Sequence, residues 1–358
     1  MITESFPIEI QKTPQSRIYE LEEGLKKFGR IFSDHMFVAD YKEGKWENAQ
    51  IIPYGNFSLS PATSAIHYGQ AIFEGLKAYK NRAGEVLVFR PFDNMKRMNK
   101  SAERMCMATI PEELFKQALF TLLKIDRDWV PQVEGSALYI RPFMFATDEY
   151  VGIKPSDNYK FSIIMSPVGA YYSEPVRVKI ETFYSRSVEG GTGTAKAAGN
   201  YAASLYPAKL AQEKGYHQLV WTDAKEHKYI EESGTMNIMF VIDGVLVTPP
   251  LSDTILHGIT RDSVLKLARH YGIPVEERKI SVDEIIEAHN KGLLQDMFGT
   301  GTAATIAHVQ LFNYNDKDYE LPPVENREFS NRVKKHLDKI KTGEAEDIFN
   351  WTVNIDKM

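Results

Sequence analysis

The segment GGTGTAKAAGNYAAS, Gly190 to Ser204, sets one lysine among four glycines and other small residues, with Asn200 and Tyr201 where a helix is expected to begin. A Walker phosphate loop needs glycine directly before its lysine and serine or threonine after it; here Ala195 and Ala197 flank Lys196, so that reading fails. A dinucleotide fingerprint fails as well, because its third glycine would fall on Lys196 itself. What remains is a lysine whose small neighbours leave room for something bulky beside its amine. Most lysines are solvated surface charges. One shielded among small apolar residues can lose its proton and act as the nucleophile of a Schiff base.

A Schiff-base lysine that serves pyridoxal phosphate needs an anion site, a carboxylate facing the pyridine nitrogen and a donor to the ring oxygen. Gly258-Ile259-Thr260 stands at the expected start of a helix, where backbone amides and the helix dipole bind anions, although a plain threonine N-cap would look the same. Gly299-Thr300-Gly301-Thr302-Ala303-Ala304 is a second small-residue turn, placed after the apolar run Leu293–Phe298. Arg90 follows a strand run and suits a surface ion pair as well as a phosphate. Glu231-Glu232-Ser233-Gly234-Thr235 precedes a strongly apolar strand, so an acid at its mouth could meet the ring nitrogen; a charged turn is the other account. Tyr139 and Arg141 share one face of their strand, and on a core face the arginine must be paired. The nine histidines form no HExxH pair and no GxSxG elbow occurs, while the single cysteine, Cys106, excludes thiolate clusters, so no metal site is expected.

The elements that must position these residues are legible in outline. Ala137 to Val151 reads as a strand, as does the run from Phe161. Met95, Met98, Ala102 and Met105 recur at helical steps, as do Phe115, Leu119, Leu122 and Leu123; both stripes are core faces. Val176 to Tyr184 alternates, and Asp243-Gly244 between two apolar runs predicts a hairpin. A helix is expected over Thr260–His270, and Ser281 with Glu284 forms a capping box for another that stops near Gly292. The interspersed order, with hairpins in both halves, argues for an α+β chain. Its 358 residues make about two domains. The expected division is 1–166, a linker over 167–175 rich in proline and glycine, and 176–358.

Forty-three basic residues against 48 acidic ones leave a net charge of -5, which gives nucleic acid and anionic membranes no purchase. The most apolar stretch, from Thr235, is broken at Asp243-Gly244, and the first twenty residues hold no apolar run fit for a signal peptide. With one cysteine, the cytoplasm is the expected compartment.

Eight blocks in order resemble the fold type IV pyridoxal-phosphate enzymes, and within them the branched-chain amino acid aminotransferases. They are FGRIFSDHMF, IHYGQAIFEGLKAYK, VFRPFDNMKRMNKSAERM, ALYIRPF, GGTGTAKAAGNYAAS, ESGTMNIMFV, LHGITRDSVLKLA and FGTGTAATI. The resemblance implies a small α/β domain that supplies the substrate wall and a larger domain with a β-barrel-like core. It implies Lys196 as the catalytic lysine that holds pyridoxal 5'-phosphate and shuttles the proton, Tyr201 on the ring oxygen and Glu232 on the pyridine nitrogen. Arg90, Ile259, Thr260 and Thr302 would form the phosphate cup, with Arg186 behind. Phe32, Tyr68, Phe73, Tyr139 and Arg141 would line the substrate side, and Thr235 and Ala303 would receive the α-carboxylate.

By the same resemblance the activity is a ping-pong transamination from leucine, isoleucine or valine to 2-oxoglutarate, giving glutamate, in a homodimer whose small domains complete the pockets. Aliphatic substrates offer no hydrogen bond, so selectivity must come from an apolar cage, with tyrosine hydroxyls and Arg141 accepting the glutamate carboxylate. Some relatives carry Cys-x-x-Cys after the Thr-Ala turn; Ala304 and Ala307 stand there, so no thiol switch is expected. Ala198 replaces a frequent glycine in the lysine loop. The rivals are a D-amino acid aminotransferase or aminodeoxychorismate lyase of the same fold and, more remotely, a non-catalytic binding protein.

Overall fold

A computed structural model describes residues 6–169 and 174–358. The chain divides by its contacts into two compact units. The first comprises Met1–Tyr171, Ala195–Gly199 and Asp338–Met358; the second comprises Tyr172–Thr194 and Asn200–Leu337.

The first unit is built on a nine-stranded sheet whose path runs Glu9–Ile10, Lys45–Pro53, His35–Lys42, Tyr159–Val168, Ala137–Ala146, Leu76–Lys80, Val86–Phe89, Thr352–Asn354. The short strand Ala71–Phe73 also pairs with Ala137–Ala146. Leu76, Ala78, Leu138, Ile140, Phe161 and Ile163 share one buried cluster with the apolar stripes of the helices Pro91–Arg104 and Glu112–Ile125. Both expected stripes are core: Met95, Met98 and Ala102 are buried on one helix, and Phe115, Leu119, Leu122 and Leu123 on the other. Because strand side chains alternate, Tyr139 and Arg141 are left on the opposite face.

Pairing is continuous past the end of the short strand. Phe73 lies opposite Phe143 and Leu76 opposite Ile140, and between them Glu74 N–H donates to Pro142 O at 2.7 Å. Phe73, Gly75, Lys77 and Tyr79 therefore line up on the face of Tyr139 and Arg141, whereas Glu74 turns toward the helices.

The second unit closes a barrel. Strands Ile230–Ser233, Gln218–Thr222, Val176–Ile180, Thr305–Tyr314, Leu294–Gly301 and Met236–Ile242 pair in that order, and the last pairs back to the first. A ring this small is filled by its own side chains. Val176, Val178, Val220, Ile238, Phe240 and Phe312 are among those buried in it.

The local signals hold. Asp243 and Gly244 both take positive φ, 48° and 76°, as a primed hairpin turn requires, between strands Met236–Ile242 and Val245–Thr248. The Ser281 hydroxyl accepts from Glu284 N–H at 3.1 Å and caps the helix Val282–Asn290. Two strands stop earlier than their apolar runs. The first ends at Ala146, because the Asp148 carboxylate collects the N–H groups of Asp157 and Asn158 at 3.1 and 3.0 Å and closes a turn. The second ends at Ile180, where Glu181 Oε1 takes the N–H groups of Thr182 and Phe183, both at 3.0 Å. Of the expected link over 167–175, residues 167 and 168 complete a strand and 170–173 lie outside the described residues.

Candidate active site

Lys196 sits on a five-residue excursion, Ala195–Gly199, that belongs to the first unit. Ala195 and Ala197 are 2% and 1% exposed and join the core cluster of that unit, and Ala197 bridges to Ile72. Lys196 lies between these two buried alanines and is itself half-buried, just before the helix that begins at Ala198. The core receives the small residues that flank the lysine. Both main-chain groups of Lys196 are held: its N–H donates to Ser101 Oγ at 2.9 Å, and its C=O accepts from Phe73 N–H at 3.1 Å. The amine lies 4.8 Å from the centre of the Phe73 ring.

Three substrate-wall candidates meet in the same unit. The Arg141 guanidinium stands 4.5 Å from the Phe73 ring centre and donates to the Tyr139 hydroxyl at 2.9 Å. Arg141 Nε is buried with no hydrogen-bond partner among the described residues, which is costly for a charged donor and suits an acceptor brought by a ligand. Gly75 makes this arrangement possible, since a Cβ there would lie 2.2 Å from the Tyr139 hydroxyl oxygen. Phe28, edge-on at 5.2 Å, is the aromatic from the first block that touches Tyr139. Phe32 stacks on Tyr54 at 4.7 Å. Tyr68 ends the short helix Ser64–Tyr68 and is 41% exposed, outside the Phe73 cluster.

Arg90 is the N-cap of the helix Pro91–Arg104; its Nε donates to Asp93 at 2.7 Å and its guanidinium faces Trp351. Ser101 lies eleven residues further on, about 16 Å along the axis. Arg97, one turn before Ser101, is buried and grips the fully buried Glu74 through Nε and Nη2 at 2.7 and 2.9 Å. Of the two arginines, Arg97 adjoins the residues that hold Lys196. Sequence reading passed over it, and the signal that could have found it is Glu74: an acid on the core face of a strand needs a buried cation.

The second unit carries the other candidates. Glu232 is 2% exposed on the strand Ile230–Ser233, so this segment is barrel wall rather than a charged turn. Its carboxylate is ion-paired with Arg186 and accepts from Asn237 Nδ2 at 2.9 Å and Leu256 N–H at 3.0 Å. Glu231 alternates to the other side, where burial raises its carboxyl pKa against a hydrogen bond from Thr254. Arg186 also donates to Thr254 O and Gly193 O.

Gly258 is the N-cap of the helix Ile259–His270, which places Thr260 in its first turn and removes the threonine N-cap reading. A Cβ on Gly258 would stand 1.8 Å from Asn237 Oδ1. The same asparagine thus packs on the helix N-terminus and holds Glu232. Thr302 and Ala303 form the turn between strands Leu294–Gly301 and Thr305–Tyr314, and Thr235 lies in the exposed turn before Met236. Tyr201 occupies the first turn of the helix Ala198–Glu213. Among the described residues Thr300 Oγ1 and Ser187 Oγ are buried without hydrogen-bond partners, so this unit too holds donors that a polar ligand would satisfy.

The profile of the amino-transferase class IV family matches residues 71–311. The chain is similar to branched-chain-amino-acid aminotransferase 2 of Bacillus subtilis, 48% identical over 92% of each chain. It is 46% identical to a probable branched-chain-amino-acid aminotransferase of Staphylococcus aureus, over 92% of this chain and 93% of that one. Among solved structures it resembles the branched-chain amino acid aminotransferase of Escherichia coli, with a TM-score of 0.72 and 26% identity over 90% of this chain and 99% of that one. The T.th. branched-chain amino acid aminotransferase with pyridoxamine 5'-phosphate gives a TM-score of 0.72 at 25% identity, over 89% and 98% of the two chains.

Proposed function

The chain belongs to the amino-transferase class IV family, and from that premise we propose that it is a branched-chain amino-acid transaminase that moves the amino group of leucine, isoleucine or valine to 2-oxoglutarate. The observation that carries this reading is the wall of Phe73, Tyr139 and Arg141. It is aromatic, as an aliphatic substrate needs, yet holds a buried unpaired guanidinium N–H for a carboxylate.

The cofactor proposed is pyridoxal 5'-phosphate. The residues fit it: a fixed lysine, a buried carboxylate paired with Arg186 and accepting from two N–H donors, and a glycine-capped helix N-terminus. When bound, the cofactor supplies a conjugated electron sink that acidifies the substrate's Cα–H. Lys196 would hold it and would carry the α-proton on Nζ. Glu232 holds a proton at the pyridine nitrogen, and Tyr201 donates to the ring oxygen. Ile259 N–H, Thr260 and Thr302 bind phosphate. Arg90 joins them as the charged ligand. Thr235 and Ala303 receive the α-carboxylate, Arg186 fixes Glu232, and Phe32 joins the substrate wall.

The proposed assembly is a cytoplasmic homodimer. Leu59, Ile66, Tyr68, Tyr150, Val151 and Ile153 are exposed large apolar side chains on two segments, one carrying the helix Ser64–Tyr68, tied by the Thr63–Glu149 bridge. An exposed patch of this kind suits a protein partner, and in the proposed homodimer Tyr68 would serve a second copy's pocket.

Oxo-acid formation from leucine, valine and D-alanine with 2-oxoglutarate tests the proposal. Activity on leucine and valine is expected; activity on D-alanine alone would replace it with the D-amino acid reading.

A further inference from the structure

Ser101 stands in the last turn of the helix Pro91–Arg104, fully buried. Serine is a mediocre residue for a helix interior, and its back-bond to the preceding turn slightly weakens the helix. Here both capacities of the hydroxyl are used. It donates to Arg97 O at 3.0 Å and accepts from Lys196 N–H at 2.9 Å, across 95 residues of sequence. The first bond fixes where the oxygen's lone pairs point, and the second uses one of them.

The carbonyl of Lys196 is held independently, by Phe73 N–H at 3.1 Å, and the alanines on either side are anchored in the core. With the peptide groups on both sides of Cα fixed, the direction of the Cα–Cβ bond is fixed, and with it the region the amine can sweep. A proton carrier must reach its target within hydrogen-bond distance, so small errors of aim cost rate rather than binding.

We propose that Ser101 is a positioning residue for Lys196: its hydroxyl orients the lysine's peptide so that the amine returns to one point in every turnover. The proposal rests on the transaminase reading.

The test uses the holoenzyme with Ser101→Ala, Ser101→Thr and Ser101→Cys. Ser101→Ala should lower kcat roughly tenfold while the KM values for leucine and 2-oxoglutarate stay within about threefold. It should also move the pH midpoint of the visible absorbance of the lysine-bound cofactor. Ser101→Thr keeps the hydroxyl and should restore both. If Ser101→Ala does not fold, Ser101→Cys, with a weak acceptor, should give an intermediate kcat and midpoint. Wild-type kcat and midpoint in Ser101→Ala, or in Ser101→Cys where only that variant folds, would overturn the proposal, even if the melting temperature fell. An unaltered enzyme that makes no oxo acid from leucine would instead remove the reading beneath it.

Discussion

Arg141 and Tyr139 meet tip to tip: Arg141 Nη2 donates to the tyrosine hydroxyl at 2.9 Å, and that hydroxyl occupies the space a side chain on Gly75 would fill. Gly75 carries no positive φ, so alanine strains no backbone there; it only displaces the ring. A hydrogen bond to a charged group is worth about 1.5–3 kcal/mol, so Gly75→Ala should lower kcat/KM for leucine and for 2-oxoglutarate roughly 10- to 100-fold. Adding Tyr139→Phe should cost little more, because the two changes remove one interaction. Steady-state kinetics of the two single variants and the double variant measure this, and independent, additive losses would contradict it.

Glu74 and Arg97 form a buried ion pair that a single truncation leaves half intact. Glu74→Ala strands the guanidinium and should cost about 3–5 kcal/mol in denaturant unfolding. Replacing both residues with methionine removes the charges together and should recover most of that loss. A double variant no more stable than Glu74→Ala would show that the pair is not the source of the cost.

Lys77 shares the strand face of Tyr139 and Tyr79, and burial, aided by Lys341 and opposed by Asp338, pushes its amine pKa down from 10.5 to about 7. Between those values the unfolded chain binds a proton the folded protein does not, so this residue makes stability rise with pH across the window, by at most about 1.4 kcal/mol per pH unit. Below pH 7 both states are protonated and the folded state carries the full cost. Lys77→Met should therefore raise the melting temperature more at pH 7 than at pH 10. A pH-independent difference between the two proteins would refute this linkage.

Much of this was readable from short-range pattern. Asp243-Gly244 could only be a tight turn, Ser281 with Glu284 had to cap a helix, and Tyr139 and Arg141 had to share a face. What escaped was set by partners distant in sequence. Nothing local says that Ala195 and Ala197 pack into a core of strands and helices many residues earlier. Ser101 is an unremarked helix residue until Lys196 is placed beside it. The barrel closes through pairing of Ile230–Ser233 on both sides, which no periodicity reports. Residue pattern alone left Glu231 and Glu232 equal; the resemblance chose Glu232, and the strand assigns the two to opposite sides.

Arg90 and Arg97 separate by the same kind of distant contact. The family resemblance implies Arg90 in the phosphate cup, and both Nε and Nη2 of Arg97 are taken by the buried Glu74. Lysine keeps the charge that Asp93 or Glu74 needs and removes the forked donor that a phosphate uses. Arg90→Lys should thus weaken retention of pyridoxal 5'-phosphate about tenfold in equilibrium dialysis, and Arg97→Lys, whose fork serves Glu74, should leave it within about twofold. The reverse ranking would remove Arg90 from the cup and give that role to Arg97.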